Sequence, residues 1–201
     1  MMRLMFYSKK YNFLFCHISR TGGTSLCSVL RQTAPDLRMI CSQHASLLEA
    51  RAALPEAFES TFKFAFVRNP WERLVSWYSL LEKGKSLHSE AVSEKHHYAE
   101  KERFELFVQE MVAELHGGIA WSQWSQLSDH LGNSLVNEIC RFENYQKDSK
   151  RILRKLGSKD YYLPYYNQAS SRHYRHYYSD LALKLAEELF LDDIYQFGYK
   201  F

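Results

Sequence analysis

The chain has 201 residues, 46% of them hydrophobic and 15% aromatic, with a formal charge of +3 and a pI of about 8.6. That apolar content excludes a disordered chain and is enough for one substantial core, so a single domain over 1–201 is expected. The mild positive excess suits an anionic cofactor or an acidic glycan, and it falls short of the basic footprint that would by itself indicate nucleic acid.

Met1 to Tyr11 carries two Lys and an Arg and is not followed by an apolar stretch of membrane-spanning length. Phe13 to Ile18 reads as the first strand. It opens into Ser19-Arg20-Thr21-Gly22-Gly23-Thr24-Ser25, and a helix follows with Leu26, Val29 and Leu30 on its inner face. A helix start presents unpaired backbone N–H groups and a partial positive charge. Glycines at 22 and 23 clear space for an oxyanion, Thr21, Thr24 and Ser25 offer hydroxyls, and Arg20 adds a full charge. The same residues also suit a plain strand-to-helix turn with a hydroxyl cap. A Walker A loop is disfavoured, because Thr24 stands where that motif needs Lys.

Residues 31–43 form a connection with a short strand at Leu37 to Cys41. His44 then lies at a loop-to-helix junction ahead of a helix with Leu47, Leu48, Arg51 and Leu54, which Pro55 stops. Phe62 to Val67 suits a buried strand. Asn69 reads as the N-cap, Pro70 as the first helical residue and Glu72 as the capping acid of the next helix, whose apolar face is Leu74, Trp77, Tyr78 and Leu81. Arg68 therefore ends a strand, where open α/β sheets bind ligands, and Ser76 lies about two turns along the following helix. Arg68 paired to Glu72, and Ser76 as an ordinary helix residue, are the structural alternatives.

Residues 82–103 mix both charge signs and read as a lid or insertion, or more simply as a solvated linker. His96-His97 is half of a metal site without a second half, and no metal is expected. Phe104, Phe107, Val108, Met111, Val112 and Leu115 mark a helix face. Trp121, Gln123, Trp124 and Gln126 suit either a sugar-gripping surface or an aromatic face in the core. A later strand is expected within Leu135 to Phe142, then a helix through Ile152, Leu153 and Leu156 that Gly157 ends. The tyrosine-rich stretch Tyr161 to Tyr178 suits a cover over a bound ligand, or by composition a nucleic-acid surface, although no RNA-binding motif accompanies it. The last helix carries Leu181, Leu185, Leu189 and Phe190, and an aromatic tail is expected to return to the core. Cys16, Cys27, Cys41 and Cys140 lack zinc or C-x-x-C spacing and read as core thiols of a reducing compartment. Strand-like and helical segments alternate, which predicts an α/β fold with a central, mainly parallel sheet and helices on both faces, a P-loop-like three-layer arrangement.

Two separated stretches together resemble the PAPS-dependent sulfotransferases, in particular the carbohydrate branch with its heparan, chondroitin and bacterial members. His17-Ile18-Ser19-Arg20-Thr21-Gly22-Gly23-Thr24-Ser25 is similar to that family's H-I-x-K-T-G-G-T-S, and Phe64 through Tyr78 is similar to its F-x-F-V-R-N-P-x-x-R-L-x-S-x-Y. Arg141-Phe142-Glu143-Asn144, Leu163-Pro164 with Asn167, and Phe197-Gly198-Tyr199 extend the likeness over nearly the whole chain. The resemblance implies that Arg20, Thr21, Gly22, Gly23, Thr24 and Ser25 hold the 5'-phosphosulfate of PAPS, and that Arg68 and Ser76 hold the 3'-phosphate. It also implies that His44 is the base for an acceptor hydroxyl. Arg20 departs from the family's Lys and changes donor geometry at a catalytic position.

The expected activity is sulfuryl transfer from PAPS to a carbohydrate hydroxyl, leaving PAP, with no metal and no nucleic-acid partner. An inactive PAP(S)- or glycan-binding homologue and a nucleotide kinase-like P-loop protein are the alternatives. With no anchor of the kind many animal relatives carry, a cytoplasmic, bacterial protein is expected, with a homodimer as the default oligomer.

Overall fold

The computed structural model describes residues 4–41, 45–88, 99–115, 122–158 and 173–201. The chain divides into two compact units, Met1–Arg68 with Gln123–Asn167, and Asn69–Ser122 with Gln168–Phe201.

The first unit is built on a five-stranded sheet. Its strands are β1 (Leu4–Ser8), β2 (Phe13–His17), β3 (Arg38–Ile40), β4 (Phe62–Val67) and β5 (Glu138–Arg141), in the order β3-β1-β2-β4-β5. β2–β4 and β4–β5 are parallel, whereas β1–β2 and β1–β3 are antiparallel. The sheet is therefore mixed and not mainly parallel. The cause is β1, which precedes the strand expected to be the first. Only Lys9 to Asn12 separate it from β2, and a link that short can join only antiparallel neighbours, since a parallel pair needs a crossover of about a dozen residues or more. Asn12 takes a positive φ of 50° in this turn, and the Asp36 carboxylate accepts from the Ser8 hydroxyl at 2.7 Å and the Lys10 N–H at 2.9 Å. β1 alone runs against the other four strands.

Cross-strand register places Phe6 opposite Phe15 and Phe15 opposite Phe64, so one sheet face is a row of rings, with Phe15 and Phe64 centroids 5.0 Å apart. Helix α1 (Gly23–Thr33) and helix α6 (Tyr145–Lys155) contribute Leu26, Val29, Leu30, Ile152 and Leu153 to the same core. Met5, Leu14, Cys16 and Ala65 on the opposite face are also buried, which explains strands that read as unbroken apolar runs. Helix α2 (Leu47–Ala53) starts in a Ser46/Glu49 capping box and packs against the short helix α5 (Trp124–Leu127). Lys63 is almost wholly buried in β4, with its Nζ donating to the carbonyls of Phe58 and Thr61.

The second unit contains helices α3 (Pro70–His88), α4 (Glu100–Leu115), α7 (Asp180–Leu189) and α8 (Leu191–Phe197). The expected start of α3 is present: the Asn69 Oδ1 accepts from the Glu72 N–H at 3.0 Å, with Pro70 in the first turn. Phe104 forms the centre of this unit, edge-on to Tyr78 and Tyr178, and the Tyr178 hydroxyl donates to the Trp71 carbonyl at 2.9 Å. Tyr177 and Tyr178 are thus core residues, while residues 161–172 lie outside the described ones. The last helical stretch breaks at Phe190, which is buried as expected, whereas Leu181 is exposed and α7 buries Ala182 and Ala186 instead. Small alanines suit the close packing of α7 on α4. Among the described residues no helix is long and apolar enough to cross a membrane, and no cluster of His, Cys, Asp and Glu suits a metal ion. Cys16, Cys27 and Cys140 are buried and take part in no disulfide among the described residues, and burial pushes Cys27 and Cys140 up to about 12.

Candidate functional site

β2, β4 and β5 are parallel neighbours, so their C-terminal ends open along one edge of the sheet. The glycine-rich loop follows β2, Arg68 follows β4, and Phe142 and Tyr145 follow β5. This edge is where side chains from distant parts of the sequence converge within the first unit.

Helix α1 begins without a side-chain cap: its N-cap is Gly22, with φ 81°, and its first turn holds no acidic residue. The alternative of a hydroxyl cap is not realised, because the N-cap position is held by Gly22, which has no side chain. Thr21 is fully buried and its hydroxyl donates to the Ile18 carbonyl at 2.7 Å, closing the loop on itself. Thr24 is exposed and Ser25 is buried at the helix start. The start of the helix thus carries no side-chain cap at its N-cap residue, the condition under which helix starts take up anions.

Gly22 and Gly23 have a second use besides opening space for an anion. A Cβ on Gly22 would lie 2.6 Å from the Tyr145 ring and 3.1 Å from the Phe142 ring, and a Cβ on Gly23 would run into the imidazole of His17. The loop is therefore packed between three rings. Tyr145 also donates its hydroxyl to the Gly22 carbonyl at 2.9 Å and bonds the Ser25 hydroxyl, and burial pushes its pKa up to about 12. Tyr145 is not among the residues expected from sequence; the aromatic residue just after Arg141-Phe142-Glu143-Asn144 was the available signal.

Arg20 adopts a left-handed conformation, φ 66°, at the crest of the loop. Its pKa is lowered by burial and then by the neighbouring Arg68 guanidinium. Arg68 is 3% exposed, lies 4.2 Å over the Phe142 ring and donates through Nη1 to the Arg20 carbonyl at 3.1 Å. Two guanidiniums brought together in a partly desolvated edge repel each other, and an anion between or beside them offsets that cost. Charge, a helix start without a side-chain cap and a first turn without acids all fit a phosphate or sulfate group.

The model of the sulfotransferase family matches residues 3–200. The chain belongs to the sulfotransferase family. No curated protein and no solved structure is found to match it. In this sulfotransferase-family chain the first motif noted in the sequence lies in one unit and the second is divided between the two. Arg20 through Ser25 and Arg68 share the first unit, while Ser76 is buried in α3 of the second. His44, Trp121 and Asn167 lie outside the described residues. Gln123 is buried, and its amide is spent on the main chain of Arg68 and not on a sugar.

His17 lies beneath the loop with its ring stacked on Phe15, and its Nδ1 meets no hydrogen-bond partner among the described residues. Burial lowers its pKa from 6.5 to about 4, so it is neutral at pH 7. The unfolded chain binds the His17 proton near pH 6.5 and the folded chain only near 4, so stability contributed by the neutral ring falls as pH drops through that window. Thermal unfolding of wild type and His17→Gln between pH 7 and 4 checks this. The wild type should lose more of its midpoint on acidification than the variant, and parallel losses would refute the assignment.

Proposed function

We propose that this protein is a PAPS-dependent sulfotransferase that moves a sulfuryl group to a hydroxyl of a carbohydrate or glycoconjugate, with PAP as the other product. The observation that carries the reading is the pairing of Arg20 with Arg68 beside the uncapped start of α1, a placement that concentrates positive charge where a bound anion would offset it. PAPS, when bound, supplies the activated sulfuryl group. Arg20 and the backbone N–H groups from Gly22 to Ser25 hold the 5'-phosphosulfate and stabilise negative charge as it grows on the leaving side. Thr21 contributes through its N–H, since its hydroxyl is committed to Ile18. Arg68 holds the 3'-phosphate with a charged donor fork. Ser76 and His44 belong to the proposal through the sequence motifs alone, Ser76 as a second donor to the 3'-phosphate and His44 as the acceptor of the hydroxyl proton.

Incubation with sulfur-labelled PAPS and a panel of glycans tests the activity. Label transferred to a glycan supports the enzyme. A second reading, an inactive PAP(S)- or glycan-binding homologue, is favoured by Arg20 standing where relatives carry Lys, and tight PAP binding without transfer to any glycan would establish it. Failure to bind PAP at all would reject the enzyme and the PAP(S)-binding homologue, and glycan binding without PAP would then be the surviving reading. With an accepted glycan, His44→Ala is expected to bind PAP as wild type does and to lose about 100-fold or more in turnover, the usual scale for a general base. Unchanged turnover would remove His44 from that role.

A further inference from the structure

We infer that Gln123 is a positioning residue for Arg68, and through it for discrimination of the ligand's 3' end; this rests on the reading of Arg68 as a phosphate-holding group. Ladder pairing of β4 with β5 ends at Val67 opposite Arg141, so the main chain of Arg68 stands just past the sheet. Its N–H and C=O would be buried there without strand partners, a costly condition. Gln123 supplies both. The Arg68 N–H donates to Gln123 Oε1 at 2.9 Å and Gln123 Nε2 donates to the Arg68 carbonyl at 2.8 Å, so one side-chain amide does what a neighbouring strand would have done. Gln123 is fully buried and 55 residues away in sequence.

The amide's orientation follows from the chemistry, since an N–H can be met only by the oxygen and a carbonyl only by the nitrogen. Gln offers both the acceptor and the donor at every pH: ionised Glu would accept from the N–H and face the carbonyl with a second oxygen, Asn is one methylene short of spanning both groups, and Met would fill the volume with neither. With its backbone gripped on both sides, Arg68 leaves the strand in one direction. Its guanidinium then lies on the Phe142 ring and reaches the Arg20 carbonyl. The ordering cost of a long, flexible side chain is met by the fold before any ligand arrives, and the fork is aimed in advance. Loss of the clamp leaves the charge in place and frees its direction.

The test is titration calorimetry of PAP and ADP, without magnesium and at fixed ionic strength, on wild type, Gln123→Met and Gln123→Asn. Wild type is expected to prefer PAP at least tenfold. Gln123→Met should cut that preference at least fivefold while ADP affinity stays within threefold of wild type; Gln123→Asn, which keeps an uncharged amide but is one methylene short of spanning both groups, should also cut it. Should Gln123→Met fail to fold, the ratio measured on Gln123→Asn decides the matter. Parallel weakening of PAP and ADP with the ratio unchanged would show Gln123 to be merely structural and would overturn the inference alone. A wild type without preference would overturn the reading of Arg68, and this inference with it.

Discussion

Arg68→Ala is expected to erase most of an at least tenfold preference for PAP over ADP, while ADP affinity falls much less. The two ligands differ in the phosphate at the ribose 3' position, so the ratio isolates what the protein does with that group. A hydrogen bond to a charged partner contributes about 1.5 to 3 kcal/mol, and about 1.4 kcal/mol is a factor of ten, so one such bond accounts for the whole preference. Arg68 is suited to the task because its position is over-determined by Gln123, Phe142 and the Arg20 carbonyl. Burial of the side chain means that truncation also costs packing, and Arg68→Lys separates the two effects. Lys keeps the charge but loses the planar fork and its face on the Phe142 ring, so an intermediate ratio is expected. Titration calorimetry of the three proteins with both ligands reads the result. An undiminished preference in a folded Arg68→Ala protein would remove Arg68 from the site.

Gly22→Ala is expected to destabilise the protein by roughly 2 to 5 kcal/mol, the combined scale of a left-handed backbone imposed on an L residue and of overpacking. Both causes are present at this residue: φ is 81°, and the new methyl would lie 2.6 Å from the Tyr145 ring. The two are separable. In the double variant Gly22→Ala, Tyr145→Ala the ring is gone, so the loss should be smaller than the sum of the single losses, with the backbone part remaining. Urea unfolding of the four proteins measures the coupling. A Gly22→Ala protein as stable as wild type would show that the loop does not hold this conformation, and additive losses would show that Tyr145 does not confine it.

The candidate site was legible to the extent that its residues are local in sequence. Arg20 through Ser25 could be read as a loop between strand and helix because the apolar run of β2, the glycines and the apolar spacing of α1 are contiguous. Asn69 as N-cap and Arg68 at a strand end followed from the same kind of signal and from Pro70. What the glycines do was only half visible. An empty space for an anion and a seat for the rings of His17, Phe142 and Tyr145 require the same small residue, and no sequence pattern distinguishes them.

The local pattern by itself determined most of the elements: β2, β4 and β5, the helix after the glycine loop, the capped start of α3 and the end of α6 near Gly157. These depend on interactions between residues a few positions apart, namely periodicity, caps and turn chemistry, all of which are written in adjacent letters. Tertiary structure decided the rest. The direction of β1, and with it the mixed sheet, came from a turn too short to permit anything but antiparallel pairing. Which face of α7 is buried, with Ala182 and Ala186 inward and Leu181 outward, was settled by its packing in the second unit, where it contacts α4. Phe142 and Gln123 reach Arg68 from far along the chain, because parallel strands bring their ends to one edge and a buried main chain beyond the ladder must find its partners wherever the fold supplies them.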